Sequence, residues 1–529
     1  VPQYSAEGKL FSPVPHELPD GRASTLFDEF MIAMSGVPSR MREGMLVLSG
    51  DVLLLFNPLQ IDAQFSGAAA VSIKEPVETG KDHGVFLNDG NGYVKNFLHK
   101  QTEETLRTVG AVNEQGTVDL DTGAILMSAD MLQALYGLIS SNGKPDEEKF
   151  HNFTNEQARV SFYGDILYPL ASDSTLEQYY KEQPEGSFTE ELHQCRTQLW
   201  DVLRQYSLKL LCLSPAQFIH FGTTRELRQL VAEEIADYEF LNWSNQVVST
   251  LNATNYATYQ SYIGHRAMIG EHAYIEDSYV LDETKVGVKL RNIIVPENVV
   301  LHGLPLRNGK KVVRIYGVLD NPKGTLEQDA RFLTTTLQKM VDIYNIPEEQ
   351  LWMETAKDIW NANLYPVCDT LEEAVQWALT VYEIADGTAN KETVEEWLAC
   401  ERTSLCASFN AADMEKVLWW QRKLECRILC RKFIDILTNG TYYKDALTVF
   451  GARDISKDIY ETLMEDAEGA EFSLKIRIYY ALSRAMKQQG VQFEGRSYDH
   501  PESLCFQTIQ QEIYGEAVKG LPDSSQYRI

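Results

Sequence analysis

The sequence predicts an α/β fold class: a doubly wound domain, then a β-helical segment, then an α-helical region. Three observations predict it in this chain of 529 residues. Short, wholly apolar runs alternate with helically spaced segments up to about residue 245. An apolar residue then recurs every six positions through the next stretch. From about residue 340 onward the spacing is helical. The expected domains are 1–245, 246–335 and 336–529, an ordinary number for this length.

Residue 1 is Val, and Val1–Lys9 reads as the middle of a loop. The numbering is therefore expected to start inside a larger protein. The runs Met45–Leu48, Ala69–Ile73 and Gly123–Met127 suit strands buried on both faces of a parallel sheet. Segments 129–140 and 190–211 carry helical spacing, and the alternation argues for a doubly wound domain. Ile263, Ile269, Ile275, Leu281, Ile293 and Val299 share one six-residue register, which meets Gly287 between two valines. That period places one apolar side chain inward per face of a β-helix coil. Thr370 is placed to cap a helix, with Glu373 at the capping-box position. Further helices are expected over 391–400, 412–438 and 470–489, with Trp419 and Trp420 as packing residues.

Charge narrows the function. With 48 basic and 76 acidic residues the net charge is −28. Such a chain repels phosphate backbones, so no nucleic-acid partner is expected. An anionic substrate needs a locally basic or metal-bearing pocket. No run of about 18 apolar residues marks a membrane span. The 8 cysteines include no C-x-x-C pair, which suits reduced thiols in a cytoplasmic protein. The P-loop, G-x-G-x-x-G, G-x-S-x-G and H-E-x-x-H patterns are absent. The simplest P-loop, Rossmann dehydrogenase, α/β-hydrolase and zincin readings fall with them.

Asp51 ends a predicted buried strand after a Ser-Gly turn. Ligands of open α/β sheets sit beyond the carboxyl ends of strands, where a carboxylate can hold Mg²⁺ against nucleotide phosphates. The structural alternative is a turn or helix cap. Lys9 follows Gly8 in a loop and could bridge a phosphate as a compact point charge, or simply be solvated. Asp119 and Asp121 share a face if their segment is extended. Such a D-x-D pair also binds metal–nucleotide in many glycosyltransferases; otherwise it is a polar turn. Lys100, Asp165 and His220 are open to structural readings, and a histidine between aromatics is usually a core residue.

In order along the chain, VPQYSAEGKLFSPVP (1–15), LSGDV (48–52), DHGVF (82–86), DTG (121–123), HFGTTREL (220–227), YGVLDNPKG (316–324) and WNANLYPV (360–367) form a set. The set resembles the L-fucose-1-phosphate guanylyltransferase (GDP-fucose pyrophosphorylase) family. It is most similar to the pyrophosphorylase half of bifunctional L-fucokinase/GDP-fucose pyrophosphorylases. The resemblance implies a Rossmann-like sugar-nucleotidyltransferase domain, a β-helix and a helical region. It implies that GTP and β-L-fucose 1-phosphate give GDP-L-fucose and pyrophosphate with Mg²⁺, in L-fucose salvage. On the same resemblance Lys9 holds the pyrophosphate side, Asp51 the metal and Lys100 the sugar phosphate. His83, Gly84, Asp121, Thr122, Gly123, His220, Gly222 and Thr223 are implied to bind substrate.

Three departures qualify the likeness. The family's G-G-x-S-x-R loop is expected just before Val1, so the chain is expected to be an incomplete enzyme. A fucokinase domain is expected only in the full-length protein. His220 stands where related nucleotidyltransferases carry a metal-binding aspartate, which makes Asp165 a candidate second ligand. The alternatives are a nucleotidyltransferase for another sugar 1-phosphate, a D-x-D glycosyltransferase and a non-catalytic scaffold.

Overall fold

A computed structural model describes residues 13–18, 21, 23–41, 43–81, 83–99, 101–184, 186–250, 255–280, 285–286, 294–353, 356–440, 443–450, 454–493 and 500–514. Lys9 and Lys100 lie outside the described residues, as do Leu281, Gly287 and Ile293 of the six-residue register. The chain divides into two compact units, Leu26–Gly222 and Val1–Thr25 with Thr223–Ile529.

The first unit is built on one six-stranded sheet. Its elements in chain order are α1 (Leu26–Ala33), β1 (Met45–Leu48), β2 (Val52–Phe56), β3 (Gly67–Pro76), β4 (Gly84–Asn88), β5 (Val94–His99), β6 (Thr117–Met127), α2 (Ala129–Leu138), α3 (Glu190–Leu203), β7 (Ser207–Leu213) and β8 (Ala216–His220). The sheet runs β7-β3-β6-β4-β5, with β1 also on β6, while β8 pairs with β2 in a separate ribbon. The three apolar runs read from sequence are strands. They do not make a parallel sheet: β7–β3 is parallel, and β3–β6, β1–β6, β4–β6 and β4–β5 are antiparallel. The architecture is mixed α/β. A strand buried on both faces looks the same in sequence whichever way its neighbour runs.

The small residues of Gly67-Ala-Ala-Ala-Val71 let β3 sit between two packed layers. Ala68 and Ala70 face Met131 of α2 and Leu199 and Leu203 of α3. Ala69, Val71 and Ile73 face Leu54 of β2 with Met34 and Val37. The helix expected over 190–211 stops at Leu203, capped at its start by Thr189, whose hydroxyl accepts the Leu192 N–H at 3.1 Å. Ser207–Leu213 turns into β7 because pairing with β3 buries Leu208, Leu210, Leu211 and Leu213.

β6 places the site. One of its edges follows β3 throughout. Its other edge pairs with β4 at Asp119 and Leu120, then with β1 from Ala124 to Met127. Asp121–Gly123 fall between those two neighbours. Here β3 advances two residues, Ala70 to Ser72, while β6 advances four, Ile125 back to Asp121. The bulge is turned by Gly123 at φ +69°, a conformation that costs a side-chain-bearing residue steric strain.

The second unit holds the antiparallel pair Pro13–Glu17 and Ala23–Thr25 and, from Thr223 on, α4 (Thr224–Ala232), then β9 (Gln246–Ser249), β10 (Ala257–Ile263), β11 (Met268–Ile269), β12 (Tyr274–Glu276), β13 (Tyr279–Val280), β14 (Lys285–Val286) and β15 (Ile294–Val295). Successive strands pair in parallel: Thr258 lies beside Ile275, Tyr262 beside Tyr279 and Met268 beside Lys285. Ile263, Ile275 and Val280 are buried together, with Ile269 against them. Val299 leaves that register. It begins β16 (Val299–Pro305), which forms an antiparallel hairpin with β17 (Lys311–Gly317).

The C-terminal region is helical, with α5 (Leu371–Asp386), α6 (Lys391–Ala399), α7 (Met414–Thr438), α8 (Lys457–Gly469), α9 (Phe472–Gln489) and α10 (Pro501–Tyr514). Thr370 caps α5 by accepting the Glu373 N–H at 3.1 Å. Trp419 is not a packing residue: it is 43% exposed, with the Lys416 ammonium 4.0 Å above its ring. Among the described residues all 8 cysteines are free thiols, and no helix is long and apolar enough to cross a membrane.

Candidate active site

Where the second edge of β6 changes neighbours, three chain segments converge. The turn between β1 and β2 brings Ser49 and Asp51. Ser49 N–H donates to Gly123 C=O at 2.8 Å, fastening this turn to the bulge. The Ser49 hydroxyl donates to Asp51 Oδ1 at 2.5 Å. The start of β4 brings His83 and Gly84, since Val85 pairs with Leu120 and sets Gly84 beside Asp121. The end of β8 brings His220 and Gly222, because His220 pairs with Val52 and Phe221 N–H donates to Asp51 C=O at 3.0 Å.

His220 Nε2 lies 3.8 Å from Asp51 Oδ2. The His83 ring meets the His220 ring edge-on at 4.7 Å, and Phe218 stacks parallel to His220 at 5.9 Å. The glycines here are points of close approach. A Cβ on Gly222 would stand 2.3 Å from His220 Nε2 and 3.0 Å from Asp51 Oδ2, and one on Gly123 would stand 2.5 Å from Ser49 Cβ. Substitution at Gly84 would put a Cβ 3.2 Å from Asp121 Oδ2.

Asp121 Oδ1 accepts the Gly123 N–H at 2.9 Å and the Tyr163 hydroxyl at 3.4 Å. Burial pushes the Asp121 carboxyl up to about 6, although both of those hydrogen bonds pull it down. The Tyr163 phenol is raised well above the ordinary value of 10, chiefly by burial and then by the charges of Asp121 and Asp51. Tyr163 belongs to a π-helical turn, Phe162–Leu167, a geometry often found at functional sites. Neither Tyr163 nor Ser49 stood out in the sequence as a site residue. Ser49 could have been found from its place two residues before Asp51. Tyr163 carries no local signal, being 42 residues from its partner.

The structure brings together Asp51, His83, Gly84, Asp121, Gly123, His220 and Gly222. It places three other candidates elsewhere. Thr122 is buried, its hydroxyl donating to Val71 C=O at 2.7 Å inside the sheet. Thr223 begins α4 as a capping box with Glu226. Asp165 is fully buried, with Oδ1 on Arg196 Nε at 2.7 Å and Oδ2 on Ser161 N–H at 2.6 Å. A carboxylate engaged on both oxygens and shut off from solvent is not open to a metal, so Asp165 is a structural anion and not the second metal ligand expected from the sequence. The D-x-D pair is likewise split, Asp119 being paired with Lys74 at 2.7 Å. The YGVLDNPKG and WNANLYPV stretches lie in the second unit and hold its turns. Asp320 accepts the N–H groups of Gly317 and Leu333, and Tyr365 OH donates to Ile315 C=O.

A mixed sheet packed on both faces, with carboxylates, imidazoles and glycines meeting where its strands diverge, defines an α/β domain with one candidate site. The chain matches the fucose pyrophosphorylase domain family over residues 1–370 and belongs to that family. It is 25% identical over 444 residues to an Arabidopsis thaliana protein named bifunctional fucokinase/GDP-fucose pyrophosphorylase, covering 77% of this chain but 40% of that protein. It is 23% identical over 446 residues to the Homo sapiens fucose-1-phosphate guanylyltransferase, covering 74% of this chain and 71% of the relative. The chain thus spans well under half the length of the plant relative. Among solved structures it is similar to one titled mannose-1-phosphate geranyltransferase, from Thermus thermophilus. That likeness is 12% identity over 50% of this chain and 69% of the other, with a TM-score of 0.21.

Proposed function

We propose that this chain carries the nucleotidyl transfer that joins GTP and β-L-fucose 1-phosphate into GDP-L-fucose with release of pyrophosphate. One observation carries the reading. Residues from four separate family-like stretches, 48–52, 82–86, 121–123 and 220–227, meet in one cluster at the split of the sheet, as Ser49–Asp51, His83–Gly84, Asp121–Gly123 and His220–Gly222. The family match and the names of the relatives support the substrates.

The sugar phosphate's oxygen attacks the α-phosphorus of GTP in line and pyrophosphate leaves, so catalysis is chiefly positioning and charge stabilisation. Asp51 would hold Mg²⁺, which neutralises phosphate charge when bound. The donor set fits: Mg²⁺ takes one or two carboxylates completed by phosphate oxygens and water, and Asp51 is a hard oxygen donor 34% exposed. Ser49 fixes the carboxylate's rotamer through Oδ1. Gly222 packs so closely on this pair that a Cβ there would collide with His220 Nε2 at 2.3 Å and crowd Asp51 Oδ2 at 3.0 Å. His83, Gly84 and Asp121 form the sugar side of this proposal. Lys9 and Lys100 are proposed to hold the pyrophosphate and the sugar phosphate.

The parallel strands of 257–286 repeat at 17-residue offsets over a buried Ile263–Ile275 stack, which supports a β-helical coil. A fucokinase half like the one named in the plant relative would supply the sugar 1-phosphate.

The test is pyrophosphate release by the full-length natural protein with GTP, fucose 1-phosphate and Mg²⁺, against ATP, UTP and other sugar 1-phosphates. Release that requires GTP and fucose 1-phosphate is expected. Preference for another pair would move the reading to a related nucleotidyltransferase. Sugar transfer without pyrophosphate would sink it.

A further inference from the structure

We infer that His220 is a direct ligand of the divalent cation, its Nε2 sharing the ion with Asp51 Oδ2, and that the site therefore favours a transition-metal ion such as Co²⁺ over Mg²⁺. The inference rests on the nucleotidyltransferase reading and deepens it, naming a second protein donor and the class of metal.

Nε2 and Oδ2 face each other at 3.8 Å. That separation is too long for a hydrogen bond. It is within the span of two donors on one ion, since ligands about 2.1 Å from a metal stand up to about 4 Å apart. The two side chains are 22% and 34% exposed, so the pair is open to solvent. Asp165 is sealed on Arg196 and Ser161, and among the described residues no group of three ligating side chains comes together. An ion on Asp51 and His220 would keep its other positions for phosphate oxygens and water, the usual arrangement beside a nucleotide.

Both donors are oriented by their surroundings. The Ser49 hydroxyl engages Oδ1, and Oδ2 is the oxygen that meets the imidazole. Pairing of β8 with β2 sets His220 beside Val52, next to Asp51. Phe218 stacks on the His220 ring and His83 meets it edge-on. Fixing a ligand's orientation raises metal affinity. The donor types then set selectivity. Mg²⁺ is best served by oxygen alone, whereas an imidazole nitrogen strengthens binding of the later first-row ions.

The experiment is pulsed electron paramagnetic resonance of Mn²⁺ added to the full-length natural protein, alone and with GTP, and to its His220→Asn and His220→Asp variants. A directly bound imidazole couples its ¹⁴N nucleus to the Mn²⁺ spin. That coupling is expected in the parent and should be lost in both variants. Losing even an outer partner of a metal ligand costs about 10–100-fold in affinity, so His220→Asn should weaken Mn²⁺ binding at least about tenfold. His220→Asp supplies an oxygen donor instead. It should recover Mn²⁺ binding without the coupling, and the preference for Co²⁺ over Mg²⁺, read by displacement of Mn²⁺, should fall at least about tenfold. Absence of bound Mn²⁺ or of ¹⁴N coupling in the parent would overturn the inference. So would a coupling that survives in His220→Asn, or equal displacement by Co²⁺ and Mg²⁺ in the parent. None of these readouts needs turnover. If the parent shows the coupling but releases no pyrophosphate with any sugar 1-phosphate, the nucleotidyltransferase reading falls and the metal site stands.

Discussion

Replacing Asp121 by Asn should make the first unit more stable, and the gain should depend on pH. The carboxyl is held at about 6 against an ordinary 3.8. At 1.36 kcal/mol per pH unit, that separation corresponds to roughly 3 kcal/mol. Asp121 is only partly buried, which makes this an upper bound, so about 1–3 kcal/mol is expected. The folded state holds the proton more tightly than the unfolded state between pH 3.8 and about 6. Stability therefore falls as pH rises through that window, and the full penalty applies above it. Asn keeps an Oδ1 acceptor for Gly123 and Tyr163 and removes the buried charge. Hydrogen exchange of peptides from β3 and β6 reads opening of this sheet directly. Protection should rise by about 1–3 kcal/mol at pH 8 and by about half as much at pH 5. No gain at pH 8, or the same gain at both pH values, would refute the reasoning that burial of this charge costs stability. A stability gain joined to a loss of sugar-phosphate affinity would mark Asp121 as a residue kept for binding.

Other perturbations test the surrounding parts. Asp51→Asn should lower turnover of the full-length protein by about 10²–10³, the scale for losing one preorganised electrostatic contact, with an unchanged thermal midpoint. Gly222→Ala should displace the His220 ring, 2.3 Å from the new Cβ. It should cut kcat/KM at least about tenfold, and circular dichroism should show the fold retained. Arg196→Met should destabilise the first unit by about 3–5 kcal/mol, since it strands Asp165 as a buried charge. Asp165→Asn added to Arg196→Met should recover part of that loss in denaturant unfolding.

Much of the fold was legible because burial writes itself into residue type. The runs 69–73 and 123–127 lie in buried strands, while 45–48 is a strand with Met45 exposed and its other residues half-buried; helices near 391–400, 412–438 and 470–489 followed from spacing. Strand direction was not legible. Ala69–Ile73 pairs antiparallel with β6 on one side and parallel with β7 on the other, and its sequence is compatible with both. The tail of the 190–211 segment misled because a short apolar run serves helix and strand equally until pairing decides.

The sequence by itself determined the inventory of the site: a Ser-Gly-Asp turn after an apolar strand, a D-T-G stretch and a histidine near glycine, in family order. Those are local features, set by turn chemistry and strand ends. Only the tertiary structure decided which members act together. The change of neighbour along β6 opens the sheet at Asp121–Gly123, and the β2–β8 pairing carries His220 and Gly222 to Asp51. The same structure assigns Asp165 to Arg196, Thr122 to the sheet interior and Tyr163 to Asp121. Such pairings depend on long-range register and on which way a bulge turns a side chain, and neither leaves a trace in the spacing of residues along the chain.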